Sequence, residues 1–252
     1  MMTSEESGHL ILLTGPSCVG KTPLVESLAK FFPQVYNRMK ILVLYNDRQP
    51  RPGEEDGVDY YFRTRDQIKS FHEDDNFIVV DVRRDIHALN IQELLEMLKN
   101  SDVLYEGNPY VSRALQNHPR LKGISRKSVF LSPLSEEEIK FLLTQKDTVV
   151  LEKFVTEVMR RKLLRRIKRQ KNEISLNDLR DIEVRASNAY QELKMAWHFD
   201  YVIPNHDGED SDNWKAFYYP IGEARKTLLT LVNLIENRST ENVETWKSSL
   251  IP

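Results

Sequence analysis

Four residues near the start of the chain have the types and the spacing for phosphate chemistry: Gly15, Gly20, Lys21 and Thr22. The apolar run Leu10–Leu13 before them predicts a buried strand, and the residues after them have the apolar spacing of a helix. A glycine-rich turn between strand and helix directs backbone N–H groups into one concavity, which is typical of a phosphate-binding loop. In such a loop Lys21 would reach the β- and γ-phosphates of ATP, and the Thr22 hydroxyl would ligate Mg²⁺. The alternative is a chance glycine turn.

Two residues of this stretch are unusual. Pro23 suits a first helical turn but has no N–H to donate to a phosphate, so we expect nucleotide binding to be weaker by about 1.5–3 kcal/mol at most. Cys18 stands in the middle of the loop. It is either a redox-sensitive thiol, because a helix N-terminus lowers a thiol pKa, or simply a small residue in a tight turn.

The elements that must position the loop alternate between strand and helix. This order predicts an α/β fold in which helices cover both faces of a mainly parallel sheet, the three-layer architecture, with function at the carboxyl ends of the strands. The clearest predicted elements after the first helix are strands over 40–45, 77–82 and 102–108, and helices over 65–73 and 91–98.

Composition sets the broad class. The chain has 252 residues, 29% of them charged and 40% apolar, with a formal net charge of −2, which indicates a globular protein without bulk affinity for nucleic acid. A single cysteine excludes an intrachain disulfide and favours a cytoplasmic location. No apolar run reaches the length of a membrane span, and no targeting segment is recognised. We expect residues 1–8 to be disordered, residues 9–236 to form one domain, and residues 237–252 to be a frayed tail.

A second candidate site contains two arginines. Arg48 and Arg51 lie three residues apart between prolines, in a segment held extended. Paired guanidinium groups suit bidentate capture of a phosphate. By themselves they favour a solvated turn.

Together the two motifs resemble the guanylate kinase family, whose pattern runs from Gly-Pro-Ser-x-x-Gly-Lys to Arg-x-Pro-Arg-Pro-Gly-Glu-x-x-Gly-x-x-Tyr-x-Phe. Gly15–Lys21 and Arg48–Phe62 match both parts, and the resemblance extends over residues 9–236. It implies ATP-dependent phosphoryl transfer to a nucleoside monophosphate such as GMP or dGMP. It also implies an acceptor-binding subdomain near residues 45–100 and a helical lid near 145–180.

The resemblance assigns roles residue by residue. The loop residues, with Ser17 among them, would bind ATP and Mg²⁺. Arg48, Arg51 and Tyr60 would bind the acceptor phosphate. Arg185 would contact the transferring phosphoryl group, and Asn205 would lie near the adenine. Without the resemblance, Tyr60 is a half-buried aromatic residue and Asn205 a turn residue that ends a strand.

The family's base-contacting residues are missing. Leu44 stands where the family carries a serine that contacts guanine, and Val79 where it carries a glutamate. Residues 85–89 replace a Gly-Asn-Tyr-Tyr-Gly segment. Asp81 would share a strand face with Val79, so it is either a replacement for that glutamate or a surface carboxylate.

The predicted strand over 102–108 ends where the family has Asp-x-Asp. Glu106 and Asn108 occupy the comparable positions. By the resemblance, Glu106 would organise Mg²⁺ through water, and Asn108 would take the position tied to the base. A surface glutamate at a strand end is the alternative.

The segment 160–171 carries eight basic residues and no acid. It is a solvated helix face, a lid that places an arginine such as Arg165 on the transferring phosphoryl group, or a patch for nucleic acid or another anionic partner. The acidic loop 205–213 lacks the ligand spacing of an EF-hand, so we interpret it as solvated.

Two function hypotheses therefore remain. The first is a nucleotide kinase with an altered base pocket. The second is a nucleotide-binding interaction module of the same fold without kinase activity. Lys21 argues for the first, because a module without phosphate chemistry gains nothing obvious from a lysine aimed at phosphates. The sequence leaves the acceptor's identity and the oligomeric state open.

Overall fold

The structure is a computed structural model that describes residues 8–50, 53–145 and 148–251. The chain divides into two compact units that alternate along the sequence. The first unit comprises the chain up to Leu12 and Arg38–Lys127, and the second comprises Leu13–Asn37 and the chain from Ser128 onward. Among the described residues, no helix combines the length and the apolar character that a membrane crossing requires.

Nine strands are formed within the described residues. They are β1 (Leu10–Thr14), β2 (Met39–Ile41), β3 (Leu44–Asn46), β4 (Tyr60–Phe62), β5 (Phe77–Val82), β6 (Asp85–Asn90), β7 (Asp102–Gly107), β8 (Arg126–Ser132) and β9 (Tyr201–Pro204).

The α-helices of the described residues connect these strands. They are α1 (Lys21–Phe31), α2 (Pro33–Tyr36), α3 (Arg65–Ser70), α4 (Ile91–Leu98), α5 (Pro109–Asn117), α6 (Glu136–Thr144), α7 (Leu151–Gln170), α8 (Leu176–Leu193) and α9 (Gly222–Ile235).

The strands of the described residues form two sheets. The larger has the order β2-β7-β1-β8-β9, with β2 parallel to β7 and β8 parallel to β9. The smaller has the order β4-β3-β6-β5, in which β3 is parallel to β4 while the β3–β6 and β5–β6 pairs are antiparallel. The predicted α/β class with a mainly parallel central sheet is confirmed.

The small sheet of the first unit has two buried faces, because side chains alternate across a strand. One face packs Leu44, Leu89 and Tyr60 into a core with the apolar face of α4. The other packs Ile86 and Val79 against Ile68 of α3. The alternation decides below which candidate residues share a face.

One predicted strand is interrupted. The sequence predicts a continuous strand over 40–45, but the structure has β2 and β3 there, in different sheets. The backbone N–H of Leu42 still bonds to the carbonyl of Leu104 (2.9 Å) beyond the end of β2, and β3 then begins at Leu44. A run of apolar residues does not reveal that the chain changes sheets within it, because both sheets bury such residues.

The C-terminal segment, residues 239–251, packs into the core of the second unit. Trp246, Leu250 and Ile251 are buried with Val155 and Phe199. The prediction of a frayed tail is therefore wrong for these residues. The sequence did not reveal their burial, because their apolar side chains are too widely spaced to show a periodicity. Residues 1–7, predicted to be disordered, lie outside the described residues.

Candidate active site

The predicted strand, glycine turn and helix are β1, residues 15–20 and α1. Gly15 and Gly20 have φ angles of 149° and 102°, a region that L side chains rarely adopt. A Cβ added at Gly15 would lie 2.4 Å from the Leu131 carbonyl oxygen, and one at Gly20 would lie 2.6 Å from the Asp207 carbonyl oxygen. Glycine is therefore required at both positions by conformation and by space.

Lys21 folds over this loop. Its ammonium group donates hydrogen bonds to the carbonyl oxygens of Gly15 (2.9 Å) and Pro16 (2.8 Å), and the side chain is 8% exposed. Thr22 follows on the exposed surface of the first turn of α1, and Ser17 is half-buried in the loop. The geometry brings a positive charge to the concavity at the helix N-terminus, where anions bind.

Cys18 has a structural environment. Its φ angle is 68°, and its side chain is 1% exposed. Burial, with the charge of Glu209 adding to it, raises the pKa of the Cys18 thiol. A protonated, inaccessible thiol is unreactive, so the small-residue alternative fits this environment and the redox alternative does not.

Asn205 fastens the end of β9 to the loop. Its side-chain amide donates to the carbonyl oxygens of Val19 and Asp207, both at 2.8 Å. Its side-chain oxygen accepts from the Thr227 hydroxyl (3.2 Å) and from the backbone of Asp207 (3.3 Å). The side chain is completely buried, and these bonds use its donors and its acceptor. Contact with an adenine stays a prediction, but positioning the loop is the role that these bonds support.

Residues 207–212, here called the acidic segment, follow Asn205. The backbone N–H of Gly20 donates to Glu209 Oε2 at 3.1 Å. The Trp214 indole donates to the carbonyl oxygens of Asp207 (2.8 Å) and Gly208 (3.1 Å), and the carboxylate of Asp207 accepts from the backbone N–H of Ala224 at the start of α9 (2.9 Å). The prediction of a solvated loop is wrong for residues 207–211, whereas Asp212 is exposed.

Three basic residues of α7 accompany the acidic segment. Lys162 Nζ donates to the His206 carbonyl oxygen and lies 3.8 Å from Asp210. Arg165, the arginine predicted for the lid, lies 3.6 Å from Asp210 with 66% of its side chain exposed. Arg166 carries a buried Nε with no hydrogen-bond partner among the described residues, and its charge partly offsets the rise in the pKa of Cys18 that burial causes. A periodicity argument could not separate these three residues from the rest of the basic segment.

The remaining charges of segment 160–171 are partly paired with acids. Hydrogen-bonded ion pairs join Arg160 to Glu183 (2.6 Å), Arg169 to Asp212 (3.0 Å) and Lys171 to Asp178 (2.7 Å). Such pairing reduces the positive potential that a nucleic acid would meet. The nucleic-acid interpretation stays an untested alternative.

Arg185 is buried on α8. Its Nε lies 2.9 Å from a carboxylate oxygen of Asp181, one turn earlier on the same helix. Its role at the transferring phosphoryl group stays a prediction.

In the first unit, Arg48 forms a bidentate pair with Glu54, with both N···O distances at 2.6 Å. Its guanidinium carbon lies 5.1 Å from the centre of the Tyr60 ring and 5.3 Å from that of Phe62. Burial opposes the charge of Arg48, but the hydrogen bonds and charge of Glu54 outweigh it and raise the pKa of Arg48. The structure therefore brings Arg48 and Tyr60 together, while Arg51 lies outside the described residues.

A buried polar network that the sequence did not reveal adjoins Arg48. Asn46 Oδ1 accepts from the backbone N–H of Arg48 (3.0 Å), so its amide nitrogen faces His87 Nε2 at 3.2 Å. His87 Nε2 must then accept, which leaves the proton on Nδ1. Burial, with the charges of Arg48 and Arg83 adding to it, lowers the pKa of His87 to about 3. The only sequence signal was the position of His87 inside the segment that replaces the family's tyrosines.

The residues at the family's base-contacting positions lie on opposite faces of the small sheet. Leu44 is 3% exposed and packs on the face that also carries Tyr60. Val79 and Asp81 lie on the other face, because they pair with Ala88 and Ile86 respectively. The structure does not bring the exposed Asp81 to Tyr60.

The end of β7 carries Glu106 and Asn108. Glu106 is half-buried. Asn108 caps α5, because its side-chain oxygen accepts the backbone N–H of Val111 at 3.0 Å. Within the described part of the chain, no group of three or more His, Cys, Asp or Glu side chains is arranged to hold a metal ion.

Comparisons with known proteins show the family of the chain. The guanylate kinase family model matches residues 7–162. The chain is 29% identical over 216 residues to the guanylate kinase of a Synechococcus strain, which covers 84% of this chain and 83% of that protein. It is 26% identical over 208 residues to the guanylate kinase of Rickettsia felis, covering 82% and 90%.

The fold has a solved counterpart as well. The crystal structure of guanylate kinase from Anaplasma phagocytophilum matches with a TM-score of 0.54 at 17% identity, covering 98% of this chain and 90% of that one. Fold and loop together define an α/β protein with a phosphate-binding loop. The guanylate kinase family model matches more than half of this chain, so the chain belongs to the guanylate kinase family and thereby to the nucleotide kinases. The resemblance noted from the sequence is confirmed.

Proposed function

We propose that this protein transfers the γ-phosphoryl group of ATP to the phosphate of a nucleoside monophosphate, with GMP and dGMP as the first acceptors to test. The observation that carries the proposal is the loop itself. Two glycines that conformation and space require, a lysine ammonium over the loop and a backbone N–H that donates to a carboxylate oxygen all support a phosphate-binding role for this loop. Phosphoryl transfer needs positioning and charge neutralisation more than covalent chemistry from the protein.

The residues of the second unit would serve the donor nucleotide. The Gly20 N–H and the Lys21 ammonium would bind phosphate oxygens. The Thr22 hydroxyl would be a ligand of Mg²⁺, which prefers hard oxygen ligands. Thr22 would hold Mg²⁺, which would supply charge neutralisation to the nucleotide phosphates. Arg166 and Arg165 would contribute positive charge from α7, and Arg185 from α8.

The residues of the first unit would serve the acceptor. Arg48 is held as a cation by Glu54 and stacked beside Tyr60, which suits a phosphate monoester. Base selection would differ from that of the family, because Leu44 is committed to the core and Asp81 lies on the other face. Asn108 serves as a helix cap, and Glu106 would keep the role that the family resemblance implies, organising Mg²⁺ through water.

The test is Mg²⁺-dependent turnover of ATP against a panel of ribo- and deoxynucleoside monophosphates and sugar phosphates. Lys21→Ala should lower the rate with the preferred acceptor by about 10²- to 10³-fold, because it removes a charge that stabilises the transferring group. Lys247→Ala removes an exposed lysine of the C-terminal segment and should leave the rate unchanged.

An unchanged rate in Lys21→Ala would contradict this mechanism. If ATP binds to the wild-type protein but no acceptor gains a phosphoryl group, the proposal fails and the interaction-module hypothesis replaces it. Thermal stabilisation by millimolar ATP with Mg²⁺ separates a protein that does not bind nucleotide from one that does not turn it over.

A further inference from the structure

The contact between Glu209 and Gly20 places a carboxylate where a phosphate-binding loop offers its backbone donors. The Gly20 N–H points at Glu209 Oε2 from 3.1 Å. In loops of this pattern the backbone N–H groups cradle the nucleotide phosphates. The side chain of Glu209 and a phosphate oxygen would therefore use the same donor.

The next residue extends the same arrangement to the basic helix. Asp210 is 6% exposed and lies between Lys162 (3.8 Å) and Arg165 (3.6 Å). Its Oδ1 is buried without a hydrogen-bond partner among the described residues. Two consecutive carboxylates thus face one loop donor and two cations of α7, and these are groups of the kind that bind phosphate in nucleotide kinases.

The acidic segment is held in this position by its own packing. A Cβ added at Gly208 would lie 2.1 Å from the Cys18 carbonyl oxygen, so the segment passes in direct contact with the loop. Trp214 is 5% exposed and anchors the backbone carbonyls of the segment. The contact of Glu209 with Gly20 is consequently a built feature and not the chance position of a long side chain.

We propose that Glu209 is an internal competitor for the phosphate site, which the donor nucleotide must displace from Gly20 before it binds. This inference rests on the proposed function, because it needs a nucleotide phosphate as the second ligand. Displacement would free the Gly20 N–H for a phosphate oxygen. It would also move like charge away from the incoming phosphates, since a carboxylate and a phosphate cannot share one donor without repulsion. Glu209 would thereby weaken nucleotide affinity and favour release.

The test compares the wild-type protein with Glu209→Ala in equilibrium titrations with inorganic tripolyphosphate, ATP and adenosine. Tripolyphosphate and ATP should bind about three- to tenfold more tightly to the variant, because one charged competitor is gone. Adenosine has no phosphate, so its affinity should not change. Glu209→Gln keeps a hydrogen-bond acceptor without the charge and should fall between the two proteins.

Asp212→Asn is the matched control. It removes one negative charge from the same segment, but Asp212 is exposed and pairs with Arg169. If the effect is direct competition at Gly20, Asp212→Asn should bind tripolyphosphate like the wild type. An equal gain in both variants would mean that general charge acts and not Glu209.

The outcomes separate this inference from the proposed function. Unchanged or weaker tripolyphosphate binding in Glu209→Ala, with turnover retained, overturns the inference alone. No binding of ATP or tripolyphosphate by any of the proteins overturns both. Tighter tripolyphosphate binding by Glu209→Ala than by the wild type supports the inference, and turnover of ATP with an acceptor decides the proposed function.

Discussion

At the scale of single residues, this protein uses buried polar groups to hold backbone segments in place. Asn46 joins the backbone of Arg48 to the ring of His87, and Asn205 joins the end of β9 to Val19 of the loop. Each amide bonds to groups that no sequence pattern connects. A buried polar group without such partners would cost free energy, so these residues fix the conformation around them.

His87 makes the stability of the protein depend on pH. Its folded pKa of about 3 is below the ordinary value of 6.5, so the unfolded chain binds the proton more readily. The penalty is absent above pH 6.5 and grows as pH falls toward 3. Between pH 7 and pH 5 we expect His87 to lower the free energy of unfolding by about 2 kcal/mol.

Urea denaturation of the wild type and of His87→Gln at both pH values measures this effect. The variant lacks the titrating ring, so it should lose less stability on acidification than the wild type does. His72→Gln removes an exposed histidine and controls for the general effect of pH on the protein. Parallel losses in the wild type and His87→Gln would contradict the prediction.

At the scale of elements, the starts of two helices meet at one histidine. His206 Nδ1 lies 2.6 Å from Glu223 in the first turn of α9, and its Nε2 lies 2.9 Å from Glu138 in the first turn of α6. Lys162 of α7 donates to the His206 carbonyl oxygen. The residue after Asn205 therefore links three helices of the second unit.

This link should weaken as pH rises. Burial lowers the pKa of His206, but the charges and hydrogen bonds of Glu223 and Glu138 outweigh burial and raise it above 6.5. A raised pKa means that the stabilisation is fully present below pH 6.5 and is lost as pH passes the folded value. Because the pair is partly exposed, its contribution should stay below about 1 kcal/mol.

The measurement is the difference in free energy of unfolding between the wild type and His206→Gln from pH 5.5 to pH 9. It should be largest at the acidic end and shrink toward pH 9. A difference that does not change over this range would show that protonation of His206 is not the source of the stabilisation.

The elements also show what the sequence could and could not predict. Local signals succeeded: the helix predicted over 91–98 has these bounds in the structure. The glycine loop was likewise predictable, because its residues are adjacent in the chain. The roles of Glu209, Asp210 and His87 were missed, because they depend on partners that are distant in sequence. A polar loop that packs against the protein has the same sequence pattern as a polar loop exposed to solvent.

At the scale of the whole molecule, the C-terminal segment completes the core of the second unit, although it is more than two hundred residues from the glycine loop in the sequence. The backbone of Glu244 pairs with Val202 of β9, and its carboxylate accepts from the Trp246 indole (2.7 Å) and from the backbone N–H of Glu136 (3.0 Å). Trp246 belongs to the same buried cluster as Cys18 and Phe130. The core around the loop is thus completed by the last residues described.

Replacing Trp246 should test that dependence. Trp246→Ala removes a large side chain that is 4% exposed and leaves a cavity, so the free energy of unfolding should fall by about 3–5 kcal/mol. Trp197→Ala is the matched control, because Trp197 is 43% exposed and its truncation should cost less than about 1 kcal/mol. Chemical denaturation followed by circular dichroism gives both values.

Because Trp246 and the loop residue Cys18 share one core, the destabilised variant should also bind ATP less well at temperatures near its midpoint, where the second unit opens. Equal stability of the two variants would mean that the C-terminal segment rests on the second unit without completing its core.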